Sequence, residues 1–388
     1  MRILHTSDWH LGHSLYNYDR TQEQQYMLLQ MINIVREQKP DAFIISGDIY
    51  HTPQPSAAVQ TMLTNALVDI HNANPEMTIV VTAGNHDSCS KHDIFKTPWK
   101  AMNVYTIGSV DIKHPEDLIV EIPGKGFIIA MPYVNERKLH EGFFQQLIDC
   151  VEKENGKGLP VIMMAHTTVG GADFTGHDNC NDYTVGGIDS YSIEDMGRGY
   201  DYLALGHIHH AQFIHGINHR ARYSGTPLAV SFDERFKHSV SIVDIDKHGD
   251  VPTVEEIEID THRPLVTLPT EGFASWEDAK ALLKDYPDDI EAYIRLNVEV
   301  DDFLPTEANA EALLLTEEKK CRFCTINAQR VKKQGLTAKG MSIQEFKTEA
   351  PIDIARRYAE DTGVCFDDEM AEMFKDTLNM IEEDERNA

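Results

Sequence analysis

Five apolar, strand-like runs of this sequence end in side chains that can bind metal ions or hydrogen-bond to a substrate. The residues that follow these runs are, in chain order, Asp8 and His10, Asp48, Asn85, His166, and finally His207 and His209. Because ligands bind beyond the carboxyl ends of strands in open α/β sheets, we expect the five ends to converge on one crevice. A glycine precedes Asp48, Asn85 and His207, which fits tight turns that aim a side chain.

These residue types favour two divalent metal ions. Imidazole and carboxylate together suit manganese, iron or zinc, whereas calcium and magnesium prefer oxygen ligands alone. Two ions about 3.5–4 Å apart need a shared ligand, and a carboxylate can bridge them. Such a pair activates a water molecule and stabilises charge that develops on a phosphate. The pattern therefore predicts a two-metal phosphoesterase.

Each motif taken alone has a simpler interpretation. The D-x-H motif fits a surface pair, and His166 fits a hydrogen-bonded core residue. The N-H-D motif fits a turn, and the H-x-H motif fits two faces of a strand. Only the joint pattern, in this order and each time at a strand end, predicts a metal site.

The elements that must position these residues alternate between strands and helices. Thr21 and Gln24 predict a capping-box start for a helix that stops before Pro40. A second helix is predicted over Ser56–Asn72. Buried-type strands are predicted at Ala42–Ile45, Thr78–Thr82, Phe127–Ala130, Val161–Ala165 and Tyr202–Leu205. This alternation is typical of an α/β core.

The second half of the chain changes character. Hairpins are expected from Gln212 to about Ile259, after a long glycine-rich loop between His166 and Ser190. A β-α-β-α-β unit follows, and two helices are predicted from about Ser342. The predicted unit consists of Leu265–Leu268, Ser275–Lys284, Ala292–Val300, Thr306–Leu315 and Cys321–Val331.

Composition excludes some classes of protein. The 388 residues carry a formal net charge of −28, the opposite of a protein that holds nucleic acid on a broad basic surface. One stretch is basic, and it fits either a solvated face or a contact to phosphates: Lys319, Lys320, Arg322, Arg330, Lys332, Lys333 and Lys339. No apolar run is long enough to span a membrane and no signal-peptide pattern is present, so we expect a cytoplasmic protein.

The six cysteines are scattered, and we expect them to be reduced. Cys321 and Cys324 have the C-x-x-C spacing of zinc or redox sites. They lie in an alternating stretch that would point them to opposite faces, which favours a structural role.

The order of motifs D-x-H, G-D, G-N-H-D, H and G-H-x-H resembles the calcineurin-like metallophosphoesterase superfamily, over essentially the whole chain. This resemblance implies an α/β sandwich with a smaller α+β capping domain and C-terminal helices. It also implies that one metal is held by Asp8, His10, Asp48 and His209. The other would be held by Asp48, Asn85, His166 and His207, with Asp48 bridging.

The resemblance assigns roles to three further residues. His86 is similar to a histidine that stabilises the transition state or protonates the leaving oxygen, and Asp87 would orient it. His51 lies where relatives carry a histidine or an aspartate near the substrate. Thr167-Thr168 follows His166 where many relatives have another histidine, which we interpret as tolerated variation.

Within the superfamily, Ser7–Gly12, Ala204–His209 and Tyr223–Leu228 are similar to bacterial DNA nuclease subunits. That similarity implies a manganese-dependent 3′-to-5′ exonuclease on double strands and an endonuclease on single strands or hairpins. It also implies a coiled-coil ATPase partner and a homodimer. The expected domains are the nuclease domain (1–262), a DNA-facing capping domain (263–340) and C-terminal helices for docking the ATPase (341–388).

Two alternatives remain open. A phosphatase or small-molecule phosphodiesterase can use the same fold, and an enclosed pocket without room for a duplex would favour it. A metal-site scaffold that binds partners without catalysis is the other alternative. The complete ligand set and His86 argue against that scaffold.

Overall fold

The computed structural model describes residues 1–134, 139–176, 190–330, 352–356, 366 and 370–374. The strands are β1 (Arg2–Thr6), β2 (Ser14–Leu15), β3 (Tyr18–Asp19), β4 (Ala42–Ser46), β5 (Thr78–Thr82), β6 (Val104–Ile107), β7 (Ile119–Ile122), β8 (Gly126–Ala130), β9 (Val161–His166), β10 (Thr168–Val169), β11 (Ser190–Tyr191), β12 (Tyr202–Gly206), β13 (Gln212–Phe213), β14 (Ala221–Tyr223), β15 (Ser239–Asp244), β16 (Thr253–Glu258), β17 (Leu265–Leu268), β18 (Tyr293–Val300) and β19 (Arg322–Arg330). The helices are α1 (Thr21–Gln38), α2 (Ala57–Ala73), α3 (Cys89–Ile94), α4 (Lys96–Lys100), α5 (Phe143–Glu154), α6 (Trp276–Asp285) and α7 (Ala308–Thr316), with a 3-10 turn at Pro115–Leu118.

Two six-stranded sheets form the main body of the protein. The first has the order β16-β15-β1-β4-β5-β6, in which β1, β4, β5 and β6 are parallel and β15 runs antiparallel to both of its neighbours, β1 and β16. The second has the order β13-β14-β12-β9-β8-β7, with four parallel strands between antiparallel edges. The hairpins expected after Gln212 are present as β13–β14 and β15–β16.

The sheets pack face to face, and the alternation of side chains along each strand explains why. On β4, Ile44 packs into the core shared with the second sheet, which includes Ile128 and Met163. Its neighbours Phe43 and Ile45 point to the opposite face and pack against helices α1 and α2. The α/β sandwich expected from the sequence is therefore confirmed.

The start of α1 differs from the predicted capping box. Arg20 is the N-cap residue and gives no side-chain cap, while the Thr21 amide donates to the Asp19 carboxylate over 3.1 Å. Gln24 is buried and spans a different turn: its Oε1 accepts from the Gly12 amide at 3.1 Å, and its Nε2 donates to the His10 carbonyl at 3.4 Å. The predicted capping box is not formed, because the side-chain amide of Gln24 is hydrogen-bonded to His10 and Gly12 instead.

A third sheet, of order β17-β18-β19, carries helices α6 and α7. This is the predicted β-α-β-α-β unit, and Ser275 caps α6 by accepting from the Asp278 amide at 3.2 Å. A buried group ties α1 to this unit: Arg263 pairs with Glu23, and Tyr293 donates to the same carboxylate at 3.1 Å.

The chain divides into two compact units, one of residues 1–298 with 304–328 and one of residues 299–303 with 329–388. Within the second unit, residues 352–356 and 370–374 are helical, and the rings of Phe366 and Phe374 lie 6.4 Å apart. The rest of the predicted C-terminal helices and most of the glycine-rich loop (177–189) lie outside the described residues. The domains expected at 1–262, 263–340 and 341–388 stay a prediction.

Four cysteines lie in the described part of the chain, Cys89, Cys150, Cys321 and Cys324, and the last three carry free thiols. Cys321 is buried, and Cys324 packs beside Leu15 and Tyr293, where burial raises the pKa of its thiol to about 12. A packing role fits these two thiols. Across the described residues, no helix combines the length and the apolarity needed to cross a membrane.

Candidate metal centre

The five predicted strand ends meet where the carboxyl edges of the two sheets adjoin. Strands β1, β4 and β5 come from the first sheet, and β9 and β12 come from the second. They bring all seven predicted ligands together: Asp8, His10, Asp48, Asn85, His166, His207 and His209. The expected crevice thus lies between the edges of two sheets and not at the edge of a single open sheet.

The backbone at these ends is held in an uncommon conformation. Asp8, His10 and Asp48 have φ values of 54°, 44° and 51°, and His207 has a φ of 99°. Non-glycine residues in this region cost energy and persist only where surrounding contacts fix them. Two such contacts are the Asp8 amide with the Gly47 carbonyl, and the His10 amide with the Asp48 carbonyl, both at 3.0 Å.

The three glycines that precede ligands serve two different purposes. Gly47 has a φ of +84° and makes the predicted tight turn. Gly84 and Gly206 instead allow close approach, because an added Cβ would lie 2.1 Å from Oδ1 of Asp48 and 1.9 Å from the Ser46 carbonyl oxygen. Of these three glycines, Gly47 alone has a positive φ.

One group of donor atoms is formed by Asp8, His10 and His209, all within 4.8 Å of one another. Nε2 of His10 lies 3.2 Å from Nε2 of His209. Nδ1 of His10 is buried and has no hydrogen-bond partner among the described residues. These donors therefore point into one small volume, as ligands of a single ion do.

A second group surrounds Nε2 of His166. This atom lies 3.0 Å from Oδ1 of Asn85 and 3.3 Å from Oδ2 of Asp48. Oδ1 of Asn85 is also 3.1 Å from Nδ1 of His207. Because Oδ2 of Asp48 lies 3.9 Å from Nε2 of His10 as well, the Asp48 carboxylate stands between the two groups.

Hydrogen bonds from behind fix which nitrogen faces the centre. Nδ1 of His166 donates to the Ser46 carbonyl at 2.8 Å, and Nδ1 of His209 lies 2.9 Å from Oε1 of Glu234. Both rings therefore present Nε2 to the centre. Neither Ser46 nor Glu234 is marked by a motif in the sequence, so neither could be predicted as a partner of a ligand.

Charge at the centre is balanced within the cluster. Burial would raise the pKa of the Asp48 carboxyl, but the charge and hydrogen bond of His166 hold it below its ordinary value. Burial would lower the pKa of His166, but Asp48 and Asp8 raise it to about 9. Burial also lowers the pKa of His10 well below its ordinary value. A divalent cation that displaces the His166 proton would supply the same counter-charge, so this donor set fits a metal ion.

His86 and His51 are half-buried at the border of the cluster. Nδ1 of His86 lies 3.0 Å from the His51 carbonyl oxygen, and the His86 amide donates to Oδ1 of Asp48 at 2.9 Å. The His86 ring centroid is 5.0 Å from that of His10, and the His51 ring centroid is 5.6 Å from that of His10. Both predicted catalytic histidines thus adjoin the predicted ligands.

Asp87 has a different position from the one expected. Its carboxylate accepts hydrogen bonds from the amides of Ile49 at 3.0 Å, Tyr50 at 2.9 Å and Gly84 at 2.9 Å. Those amides flank Asp48 and Asn85, so the carboxylate clamps the loops that carry them. The carbonyl of His51, and not Asp87, accepts from Nδ1 of His86. We therefore correct the expected role of Asp87 from orienting His86 to holding the ligand loops.

Comparison with known proteins agrees with this arrangement. Residues 1–211, more than half of the chain, match the family of calcineurin-like phosphoesterases. The chain is 30% identical to the SbcD component of the nuclease SbcCD from Bacillus subtilis over 332 residues, which covers 79% of this chain and 81% of that protein. It is 28% identical to the SbcD of Escherichia coli K12 over 293 residues, covering 69% and 70%, and 28% identical to that of Rhodobacter capsulatus over 312 residues, covering 73% and 75%. The chain therefore belongs to the calcineurin-like phosphoesterase family and, within it, to the SbcD family.

Proposed function

We propose that this protein is a two-metal DNA nuclease whose two ions share the Asp48 carboxylate as a ligand. The observation that carries the proposal is the position of that carboxylate, 3.3 Å from Nε2 of His166 on one side and 3.9 Å from Nε2 of His10 on the other. A carboxylate between two groups of nitrogen and oxygen donors is what a pair of bridged ions requires.

We assign the ligands that the sequence predicts: one ion would be held by Asp8, His10, Asp48 and His209, and the other by Asp48, Asn85, His166 and His207. When bound, the two ions polarise the phosphate and lower the pKa of an attacking water. The imidazole-rich donor set favours manganese over magnesium.

The residues of the chain perform the remaining tasks. Nδ1 of His86 donates to the His51 carbonyl, and in the doubly protonated ring Nε2 can donate a proton to the leaving oxygen or a hydrogen bond to the charged phosphate. The clamp of Asp87 on the Ile49, Tyr50 and Gly84 amides keeps Asp48 in place. His51 borders His86 and is assigned to substrate binding.

DNA is the proposed substrate because the relatives of this chain are named as nucleases. We propose 3′-to-5′ exonuclease activity on double strands and endonuclease activity on single strands and hairpins. The basic stretch contributes less to DNA contact than its charge implies. Lys319 binds Asp288 at 2.5 Å, and Arg322 lies 3.2 Å from the Tyr293 hydroxyl, so both engage their own chain. Lys332, Lys333 and Lys339 lie outside the described residues.

The experiment that tests this function compares substrates. Purified protein is incubated with labelled single-stranded DNA, a phosphodiester analogue (bis-p-nitrophenyl phosphate) and a phosphomonoester (p-nitrophenyl phosphate), each with manganese. We expect cleavage of DNA to exceed that of both small esters in kcat/KM. Phosphomonoesterase activity that exceeds DNA cleavage would favour the alternative, a small-molecule phosphatase.

We also propose that an SbcC-type coiled-coil ATPase is the partner in the cytoplasm and that the nuclease is a homodimer. The relatives' names support the first point. We place the homodimer interface on α2, where Ala57 and Ala58 are exposed and can contact a second copy. Ala66 is buried in the core of its own domain and Met62 packs partly against that core, so these two residues offer less surface to the interface. Truncation before Ser342 should abolish co-purification with the ATPase and leave manganese-dependent cleavage of single strands intact. A stable complex of the truncated protein would contradict the docking role.

A further inference from the structure

A buried carboxylate lies behind one of the proposed ligands. The side chain of Glu234 is fully buried, and its Oε1 lies 2.9 Å from Nδ1 of His209. Its Oε2 accepts from the Val230 amide at 3.2 Å. An ionised carboxylate only accepts hydrogen bonds, so Nδ1 of His209 must carry the ring proton. In the neutral ring, Nε2 of His209, 3.2 Å from Nε2 of His10, then has its lone pair toward the centre.

The charge of Glu234 is directed at the cluster. Its ion-pair partners within the described residues are imidazoles, His209 at 2.9 Å and His238 at 3.9 Å, and the Arg20 guanidinium acts on it only from beyond ion-pair distance. A buried carboxylate without a full counter-charge in contact is costly. A cation bound at Nε2 of His209 would lower that cost, so the burial of Glu234 at the Nδ1 side of the ring fits a metal ligand at this position.

The neighbouring residue, Asp233, is bound to the third sheet. Oδ1 of Asp233 lies 2.7 Å from Nη1 of Arg295 on β18, and Nη2 of Arg295 donates to the Phe232 carbonyl at 3.2 Å. The Arg295 guanidinium also lies over the Phe232 ring, 5.2 Å from its centroid. Residues 232–234 are therefore held on one side by β18 and contact His209 on the other.

We propose that Glu234 is a positioning residue for His209 and that the Asp233–Arg295 pair makes this positioning depend on the β17-β18-β19 sheet. The inference rests on the proposed function, since it takes His209 as a metal ligand. Glu234 fixes the tautomer and angle of the His209 ring and raises its basicity. A shift of β18 would act through Arg295, Asp233 and Glu234 on one ion of the pair.

The first test uses two variants of Glu234. Glu234→Leu removes the acceptor at similar size, and Glu234→Gln keeps an acceptor oxygen without the charge. Calorimetric titration of metal-free protein with Mn²⁺ should show one of two ions bound about 10–100-fold more weakly in Glu234→Leu, with a smaller loss in Glu234→Gln. The other ion should bind as in the wild type.

A spectroscopic measurement separates positioning from mere packing. In metal-free protein with ¹⁵N-labelled histidine, the His209 signal is the one that disappears in His209→Gln. We expect a protonated Nδ1 in the wild type and in Glu234→Gln, and a mixture of tautomers in Glu234→Leu. An unchanged tautomer together with unchanged Mn²⁺ affinity in folded Glu234→Leu would overturn the proposal.

The link to the third sheet has a matched control. Arg295 and Arg263 are both buried to 6% exposure and both bind carboxylates, but Arg263 pairs with Glu23 and Glu291, away from residues 232–234. Arg295→Met should weaken the same ion as Glu234→Leu, whereas Arg263→Met should lower the thermal midpoint without changing Mn²⁺ affinity. Equal effects of the two variants on Mn²⁺ affinity would overturn the link.

These outcomes are distinguishable from a failure of the proposed function. A wild-type protein that binds two Mn²⁺ ions with the expected His209 tautomer but does not cleave DNA would end the nuclease proposal and leave the positioning role standing. A folded Glu234→Leu protein with both the wild-type His209 tautomer and the wild-type Mn²⁺ titration would end the positioning role and leave the nuclease proposal standing.

Discussion

Nε2 of His166 lies 3.3 Å from Oδ2 of Asp48, although the two residues end strands of different sheets. Asp48 follows β4 of the first sheet, and His166 ends β9 of the second. Neither sheet alone holds both groups of donor atoms. The centre therefore forms only when the sandwich packs, so that metal binding and folding are coupled.

This coupling predicts the effect of Asp48→Asn. Mn²⁺ at 100 times its dissociation constant should stabilise the wild type by about 2.7 kcal/mol, because only the folded state binds it. Asp48→Asn should lose most of that increase in thermal midpoint. Asp201→Asn is the matched control, since Asp201 is also buried but accepts from the Val161 and Gly249 amides outside the centre. Asp201→Asn that loses the Mn²⁺ increase as well would contradict the assignment.

His86→Gln should separate chemistry from metal binding. The variant should bind two Mn²⁺ ions as the wild type does, because His86 is not an assigned ligand. Its turnover on DNA should fall by about 10²–10⁴-fold, the usual contribution of a general acid. His140→Gln, at an exposed histidine, serves as the control and should keep full activity. A His86→Gln protein with near-normal turnover would remove His86 from the mechanism.

Asp87→Ala tests the clamp. Removing the carboxylate leaves three amides without their acceptor, and each buried unpaired donor costs about 1–3 kcal/mol. We expect a loss of unfolding free energy on the order of 3 kcal/mol or more in urea and weaker Mn²⁺ binding. Turnover at saturating Mn²⁺ should fall much less than in His86→Gln. An equal fall in the two variants would restore the role of Asp87 in orienting His86.

Much of the centre was predictable from sequence because its residues follow strand ends. Asp8, Asp48 and Asn85 each come directly after a buried-type run, and such ends converge in an α/β fold. The repeating strand and helix pattern likewise gave β4, β5, β9 and β12 to within a residue. These patterns are alternations of apolar strand-like runs and helical segments along the sequence, so they can be recognised without knowledge of tertiary contacts.

Residues that act through tertiary contacts could not be predicted in the same way. Glu234 lies 25 residues after His209, and nothing in Ser231–Glu234 marks it as a partner. Gln24 fitted a capping box by spacing, but its amide holds the turn after His10. Asp87 was adjacent to His86 in sequence, yet its partners are amides on two loops. For Gln24 and Asp87, closeness in sequence therefore predicted the wrong hydrogen-bond partner.

Acid should destabilise the protein through His5. This side chain is buried on β1, its Nδ1 lies 3.0 Å from the Tyr202 hydroxyl, and burial, with Arg222 nearby, lowers its pKa to about 3. Below pH 6.5 the unfolded chain binds a proton at this site and the folded chain does not. Stability should therefore fall as the pH drops from about 6.5 toward 3, by about 1.4 kcal/mol per pH unit from this residue.

The check is chemical unfolding of wild type and His5→Gln between about pH 7 and pH 4, the range in which the two states of His5 differ in protonation. The pH slope should be shallower in His5→Gln, even if its stability at neutral pH is lower. His114→Gln is the control, because the hydrogen bond with Glu116 raises the pKa of this exposed histidine, so its removal cannot reduce the loss in acid. Equal slopes in wild type and His5→Gln would show that His5 is protonated in the folded state.

Cleavage of labelled hairpin and linear DNA by the purified protein, with manganese, with magnesium or with a chelator, tests the two-metal nuclease most directly. We expect no cleavage with chelator and restoration by manganese to a higher rate than by magnesium, because the imidazole ligands suit the softer ion. The same reactions with Asp48→Asn should show no product above background. Cleavage that persists in chelator, or equal rates in magnesium and manganese, would contradict the assignment of this centre.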